Sequence, residues 1–238
     1  MRVIYEPKGK AREYSNLALN LYLGCSHACK YCYVPNYCKI DRNYFNNNQK
    51  ARDIFKKIEL DCKELSGTKD KVLLCFICDP YQELNDSVRL TRKTLELFNH
   101  YSIPFQILTK AGYKAEADFD LYRSCDAFAT TLTFLDEEKS KHYEPGAALP
   151  KDRIRAIKKA KSLGINTWVS FEPVLDDNEV FQLLGLTYSF VDFYKVGKIS
   201  QFKTDKKIDW SYFANEIVRR FKSYKKDFYI KKDLAVYL

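Results

Sequence analysis

The chain has 238 residues, 46% of them hydrophobic and 30% charged, which suits a globular protein with a substantial core. No stretch approaches eighteen consecutive apolar residues, which excludes a membrane-spanning helix, and the polar, basic first ten residues hold no apolar signal core, so the expected compartment is the cytoplasm. A formal net charge of +9 suits a polyanionic partner such as nucleic acid, or simply lysines spread over solvated helix faces.

Residues 1–15 read as an extended or irregular arm. The apolar run Leu17 to Leu23 reads as the first strand and delivers the chain to Gly24-Cys25-Ser26-His27-Ala28-Cys29-Lys30-Tyr31-Cys32-Tyr33. Pro35 to Asn48 is polar and reads as loop, and Ile54, Phe55, Ile58 and Leu65 follow helical spacing. Strand and helix signals then alternate. Lys71 to Ile77 is a nearly continuous apolar run of the buried parallel type. Val88, Thr91, Leu95 and Phe98 form one helical stripe. Pro104 to Thr109 is the third strand, with a helix from about Ala115 to Ser124, and Ala127 to Phe134 is the fourth. A helix after Pro150 stops at Gly164; Ile165 to Phe171 and Val191 to Val196 are the fifth and sixth strands. Asp209 should cap a last helix carrying Trp210, Phe213, Ile217 and Phe221, and Phe228 to Ile230 adds a short seventh strand. The alternation predicts an α/β protein with mostly parallel strands. Six or seven units are too few for a closed eight-fold barrel, so the expectation is a partial TIM-like barrel of the (β/α)6 type, one domain over 1–238.

Eight cysteines without a secretion signal argue for reduced thiols, some of them metal ligands. Cys25, Cys29 and Cys32 have the spacing C-x3-C-x2-C. Structural zinc takes four ligands, and [4Fe–4S] clusters usually take four cysteines. Three cysteines leave one iron open for chemistry, unless Cys38 or His27 completes a zinc or electron-transfer site. Cys75 and Cys78 also form a C-x2-C pair, but strand alternation would send them to opposite faces. In folds of this class ligands gather at the carboxyl ends of the strands. There the sequence places Cys78-Asp79-Pro80-Tyr81, Thr109-Lys110, Thr130, Thr131 and Thr133, Ser170 and Glu172, and Lys195 and Lys198.

The run Leu19 to Tyr33 resembles the cluster loop of radical S-adenosylmethionine (SAM) enzymes, and within them the branch of spore photoproduct lyase and DNA-repair-photolyase-like proteins. The resemblance continues through Asp79-Pro80-Tyr81-Gln82, Leu90-Thr91-Arg92, Leu108-Thr109-Lys110, Glu144-Pro145-Gly146 and Phe171-Glu172-Pro173-Val174. It implies a [4Fe–4S] cluster on Cys25, Cys29 and Cys32 with SAM on the fourth iron. It implies a 5′-deoxyadenosyl radical for hydrogen abstraction, a flavodoxin- or ferredoxin-like electron donor and a nucleic-acid substrate. Tyr33, Asp79, Lys110, Thr131 and Glu172 are the expected cofactor-binding residues. The lyase returns hydrogen from a cysteine whose position falls on Phe76 here; Cys78, of the same strand parity, is the substitute candidate. The alternative is a non-catalytic metal-binding or electron-transfer protein built on the same cysteines.

Overall fold

The computed structural model describes residues 2–199, 202 and 206–238. After a 3-10 helix at Gly9–Glu13 comes strand β1 (Leu17–Leu19), and a separate β2 (Tyr22–Leu23) pairs antiparallel with β3 (Lys50–Ala51). Between β2 and β3 lie helices α1 (Val34–Cys38) and α2 (Arg42–Asn47). Helix α3 (Phe55–Leu65) leads to β4 (Val72–Leu74), α4 (Glu83–Val88) and α5 (Leu90–His100) to β5 (Phe105–Thr109), and a 3-10 helix at Gly112–Leu121 to β6 (Ala127–Thr131). Next come α6 (Glu137–Tyr143), α7 (Pro150–Ser162), β7 (Asn166–Val174), α8 (Asp177–Thr187) and β8 (Phe193–Lys198). The chain then closes with α9 (Trp210–Ser223), β9 (Asp227–Ile230) and α10 (Lys232–Ala235).

Seven strands form one sheet in the order β1-β4-β5-β6-β7-β8-β9, every neighbouring pair parallel. Each strand returns beside its predecessor through a helical crossover, and the two end strands, β1 and β9, are not paired with each other. This is the expected α/β partial barrel. Alternation along each strand separates two faces. Leu74, Phe105, Ile107, Phe128, Val169, Phe171, Tyr194 and Val196 face the helices in the main core. Leu73, Ala127, Ala129 and Trp168 form a small inner cluster, joined by Phe76, Leu108 and Phe193. The inner residues Thr131, Ser170, Lys195 and Tyr229 are register partners in turn, so they form a polar belt across the inner face.

Four expectations need correction. The run Leu17 to Leu23 is two strands, not one. The supposed loop Pro35 to Asn48 contains α1 and α2; Asp41 caps α2 by accepting from Tyr44 N–H at 2.8 Å, and Phe45 anchors it in the interior. The stripe from Val88 to Phe98 is broken at Arg89, whose φ of +52° ends α4 before α5 begins. The second strand stops at Leu74 and does not reach Ile77, because the Asn20 side chain takes the Phe76 and Ile77 N–H groups (2.8 and 3.1 Å) out of the ladder. Asp209 caps α9 as expected, accepting from Tyr212 N–H at 3.0 Å.

Candidate active site

The cysteine loop leaves β2 and is gripped from three sides. Gly24 has φ +73°, and a Cβ there would stand 2.5 Å from Asn48 O and 2.9 Å from Phe45 O, so glycine lets the end of α2 close on the loop. Cys25 N–H donates to Phe45 O at 3.1 Å. The Gln82 side chain clamps a second side, accepting from Ser26 N–H (3.0 Å) and donating to Gly24 O (3.2 Å). On the third, Gly146 N–H donates to His27 O (3.0 Å) and Lys30 N–H to Tyr143 O (2.9 Å), and a Cβ on Gly146 would collide with Ser26 O. Arg42 donates to the carbonyls of Cys32 (2.8 Å) and Cys29 (3.3 Å). The Asp-Pro-Tyr-Gln and Glu-Pro-Gly motifs thus act alike in holding this loop in shape.

Cys29 is buried, and Cys25 and Cys32 are half-buried. Burial pushes all three thiols up, Cys29 to about 12, while backbone N–H groups at His27 and Val34 favour the thiolates of Cys25 and Cys32. Among the described residues, no trio of His, Cys, Asp and Glu is arranged to hold a single metal ion. An iron–sulfur cluster does not require that, since each thiolate binds a different iron. Three soft donors on one pinned loop, two of them receiving N–H groups, fit such a cluster.

Beneath the loop lies a buried set of charges. Arg153 and Glu144 are both almost wholly inaccessible, and Arg153 Nη2 lies 2.6 Å from Glu144 Oε2 as an ion-pair contact rather than an aligned hydrogen bond. Arg153 also donates to Ala148 O and Thr131 O, and Tyr31 donates its hydroxyl to Glu144. Burial pushes Glu144 up, but Arg153 and Lys110 outweigh it and hold the carboxyl below its usual range. Burial works against the Lys110 ammonium, yet Cys29 and Glu144 bring its pKa above the ordinary lysine value. Its Nζ sits 5.6 Å from the centre of the Tyr31 ring and has no hydrogen-bond acceptor among the described residues. His27 is buried with Nδ1 3.4 Å from Asp79 Oδ2, and burial lowers its pKa, keeping the ring neutral.

The far wall of the mouth is built from β7, β8 and the chain after β9. Lys231 is 2% exposed and reaches both Glu172 carboxylate oxygens, at 2.8 and 2.7 Å. Tyr14, from the N-terminal arm, enters the inner face and donates to Glu172, with Ser170 Oγ 2.9 Å away. Lys195 holds the arm in place, donating to Glu13 O and Tyr14 O at 2.9 Å each. Burial, then the charge of Lys231, lowers Lys195 to about 8. The Tyr14 ring meets Phe76 and Trp168 at 6.2 and 5.9 Å between centres.

The radical SAM family model matches residues 19–184, which takes in the cysteine loop, the strand ends through Glu172 and most of α8. The chain belongs to the radical SAM superfamily. It is 28% identical to an uncharacterized protein of Methanocaldococcus jannaschii over 180 residues, 74% of this chain and 67% of that one. It is 30% identical to an uncharacterized protein of Acidianus two-tailed virus over 190 residues, 74% of this chain and 62% of that one. Among solved structures, spore photoproduct lyase complexed with dinucleoside spore photoproduct superposes with a TM-score of 0.70 at 14% identity, covering 96% of this chain and 78% of the lyase. Streptococcus suis SuiB bound to S-adenosylmethionine gives 0.66 at 13% identity, covering 90% and 49%. At these identities the two structures share the fold. Radical SAM membership implies enzymatic catalysis with SAM and an iron–sulfur cluster, and the need for an electron donor. No helix among the described residues is long and apolar enough to cross a membrane.

Within this radical SAM fold the expected residues separate into groups. Cys25, Cys29, Cys32 and Lys110 gather on the cysteine side of the mouth. Thr131 is buried on the inner face with its carbonyl accepting from Arg153, and Tyr33 is exposed, its hydroxyl donating to Phe76 O at 3.2 Å. Asp79 is close by, but its carboxylate is taken up by Tyr81 N–H (2.9 Å), Thr109 Oγ1 (2.7 Å) and Lys110 N–H (2.8 Å), so it ties two strand ends together. Glu172 stands across the mouth in the far wall. Cys78 does not share the inner face with Phe76 as strand parity predicts, because the strand ends at Leu74: Phe76 joins the inner cluster, whereas Cys75 and Cys78 pack with the main core. The two thiols are neighbours there, not on opposite faces, and burial followed by Cys75 pushes Cys78 far up. Sequence reasoning missed Gln82, Arg153, Lys231 and Tyr14. Gln82 lies inside the Asp-Pro-Tyr-Gln motif, but nothing local marks the other three, whose partners lie 9 to 158 residues away.

Proposed function

We propose that the chain holds a [4Fe–4S] cluster on Cys25, Cys29 and Cys32 with SAM at the remaining iron, and abstracts hydrogen from a nucleic-acid substrate. The single observation that carries this reading is the pairing of three thiols, at one mouth, with an ammonium, that of Lys110, which has no hydrogen-bond acceptor among the described residues. Cluster and SAM, when bound, supply a 5′-deoxyadenosyl radical through reductive cleavage of the S–C5′ bond. Lys110 offers its charge to the SAM carboxylate, a contact that gains from burial. Asp79 fixes the Lys110 backbone through its N–H, and Glu144 with Arg153 holds the Tyr31 ring on which the ammonium rests. Thr131 presents its hydroxyl on the inner face, and Tyr33 covers the cluster loop and limits water at the mouth. The net charge of +9 and the dinucleoside-bound lyase of the same fold support a nucleic-acid substrate. Phe76 carries no thiol hydrogen to return, so the proposal extends to hydrogen abstraction and not to repair of the spore photoproduct.

Anaerobic reconstitution with iron and sulfide, followed by SAM and dithionite, tests the reading. The expected product is 5′-deoxyadenosine, and Cys25→Ala should remove both the cluster absorbance and the product. A protein that takes up only zinc and cleaves no SAM overturns it. Affinity for oligonucleotides that falls steeply with salt would support the substrate class.

A further inference from the structure

The segment from Lys30 to Arg52 holds five cations, Lys30, Lys39, Arg42, Lys50 and Arg52, against one carboxylate, Asp41. Asp41 is spent as the cap of α2. Among the described residues none of these five cations has a carboxylate within ion-pair distance, although ion pairs are common elsewhere on the molecule. Lys30 meets only the His142 ring, while Arg42 and Arg52 donate to backbone carbonyls, so the positive charge is not neutralised.

The same segment and the strand paired with it expose large side chains. Tyr37 is 78% exposed, Tyr44 61%, Leu23 48% and Ile40 40%, and Leu23 is the register partner of Lys50. Exposed tyrosines and aliphatics with a cationic rim are the composition of a transient protein interface. Its position is equally specific. Helix α1 starts two residues after Cys32, and Arg42 connects this surface to the carbonyls of Cys29 and Cys32. A substrate must enter the barrel mouth, but a reductant has only to approach the cysteine loop from outside.

We propose that the α1–α2 surface docks a small acidic one-electron carrier protein that reduces the cluster. The inference rests on the cluster assignment to Cys25, Cys29 and Cys32. The donor loses one electron and the iron–sulfur centre gains it. Charge sets the approach and the exposed Tyr37, Tyr44, Ile40 and Leu23 form the contact. Redox encounters of this kind are small and weak, and their rates depend on steering by charge.

The test uses an acidic flavodoxin as probe and Lys39→Glu/Lys50→Glu as the variant, two exposed positions outside the catalytic machinery. Affinity of the wild-type chain for oxidised flavodoxin should fall as salt rises. The double variant should bind about tenfold more weakly with a flatter salt dependence. In the reconstituted enzyme, cluster bleaching by reduced flavodoxin should slow by a similar factor, while bleaching by dithionite is unchanged. Tyr37→Ala, which keeps every charge, should weaken binding without flattening the salt dependence. Wild-type affinity or flavodoxin-driven rate in the double variant overturns the proposal. So does loss of single-stranded DNA binding in place of flavodoxin binding. A chain that takes up no cluster fails as an enzyme and not at this surface, because the affinity measurement needs no cluster.

Discussion

Two lysines on opposite sides of one mouth, Lys231 buried and Lys110 half-buried, are treated oppositely by the fold. Lys231, on the far wall, reaches both oxygens of Glu172, with Tyr14 and Ser170 completing the network. Lys110, on the cysteine side, has no hydrogen-bond acceptor among the described residues and rests its ammonium on the face of Tyr31. Burying a charge without an acceptor is costly, so a fold keeps such a group only where something else benefits from it. The far wall pairs its charges within the protein; on the proposed reading, the cysteine side completes its set with the cluster and SAM. The three thiols repeat the contrast: burial disfavours their ionisation, Lys110 offsets it only in part for Cys29 and Cys32, and the cationic iron core of a bound cluster would reverse it.

Removing each lysine should break the symmetry in opposite directions. Lys231→Met leaves the Glu172 carboxylate without its cation inside the barrel. Breaking a buried pair in this way costs roughly 3–5 kcal/mol, and the partial exposure of Glu172 places this one near about 3 kcal/mol. Urea unfolding of the cluster-free protein measures it, and SAM affinity of the reconstituted enzyme should stay the same. A drop in SAM affinity would move Glu172 from the wall into the cofactor site. Lys110→Met should do the reverse. Loss of a charge-assisted contact of about 1.5–3 kcal/mol weakens SAM binding by about ten- to a hundredfold. The unfolding midpoint of the cluster-free protein should fall far less than in Lys231→Met, since no hydrogen-bond acceptor is orphaned and Glu144 keeps Arg153. A large fall in stability would show that Lys110 is structural after all.

This contrast was only half visible in the sequence. The cysteine side could be read because its ligands sit within eight residues of each other, and because Thr109-Lys110 and Thr130-Thr131 end apolar runs. The far wall could not, because Tyr14 reaches it from an arm with no periodicity, held by a lysine 181 residues later. Arg153 was hidden for a related reason. It lies in a helix rich in Lys and Arg, and only the closing of that helix under the loop buries it against Glu144. The Cys75–Cys78 reading failed on a local detail with a distant cause, the Asn20 side chain that draws Phe76 and Ile77 out of the strand. Helices α1 and α2 carry no helical signal in the sequence because both are short and α2 is mostly polar. Capping by Asp41 and the single anchor Phe45 are enough to form α2, and the positive φ of Lys39 turns the chain between the two.

Lys195 gives the smallest effect and sharpens the account of the far wall. Its ammonium is spent on two carbonyls of the arm, with Lys231 as an unfavourable neighbour, and its pKa is lowered to about 8. The unfolded chain keeps this lysine protonated up to about pH 10.4. Between those values the unfolded state binds more protons at this position than the folded state, so stability rises with pH there. Below about pH 8 both states carry the charge and its full burial penalty remains. Lys195→Met removes the titration while leaving Lys231 in place. The stability of the wild type minus that of the variant should therefore be flat below about pH 8 and climb from there toward pH 10, by no more than one proton's worth of slope. Measuring the difference cancels the thiols and tyrosines that titrate in the same range. A difference that stays flat would mean that Lys195 keeps its charge in the fold, and that Glu13 and Glu172 compensate it better than the geometry of the arm suggests.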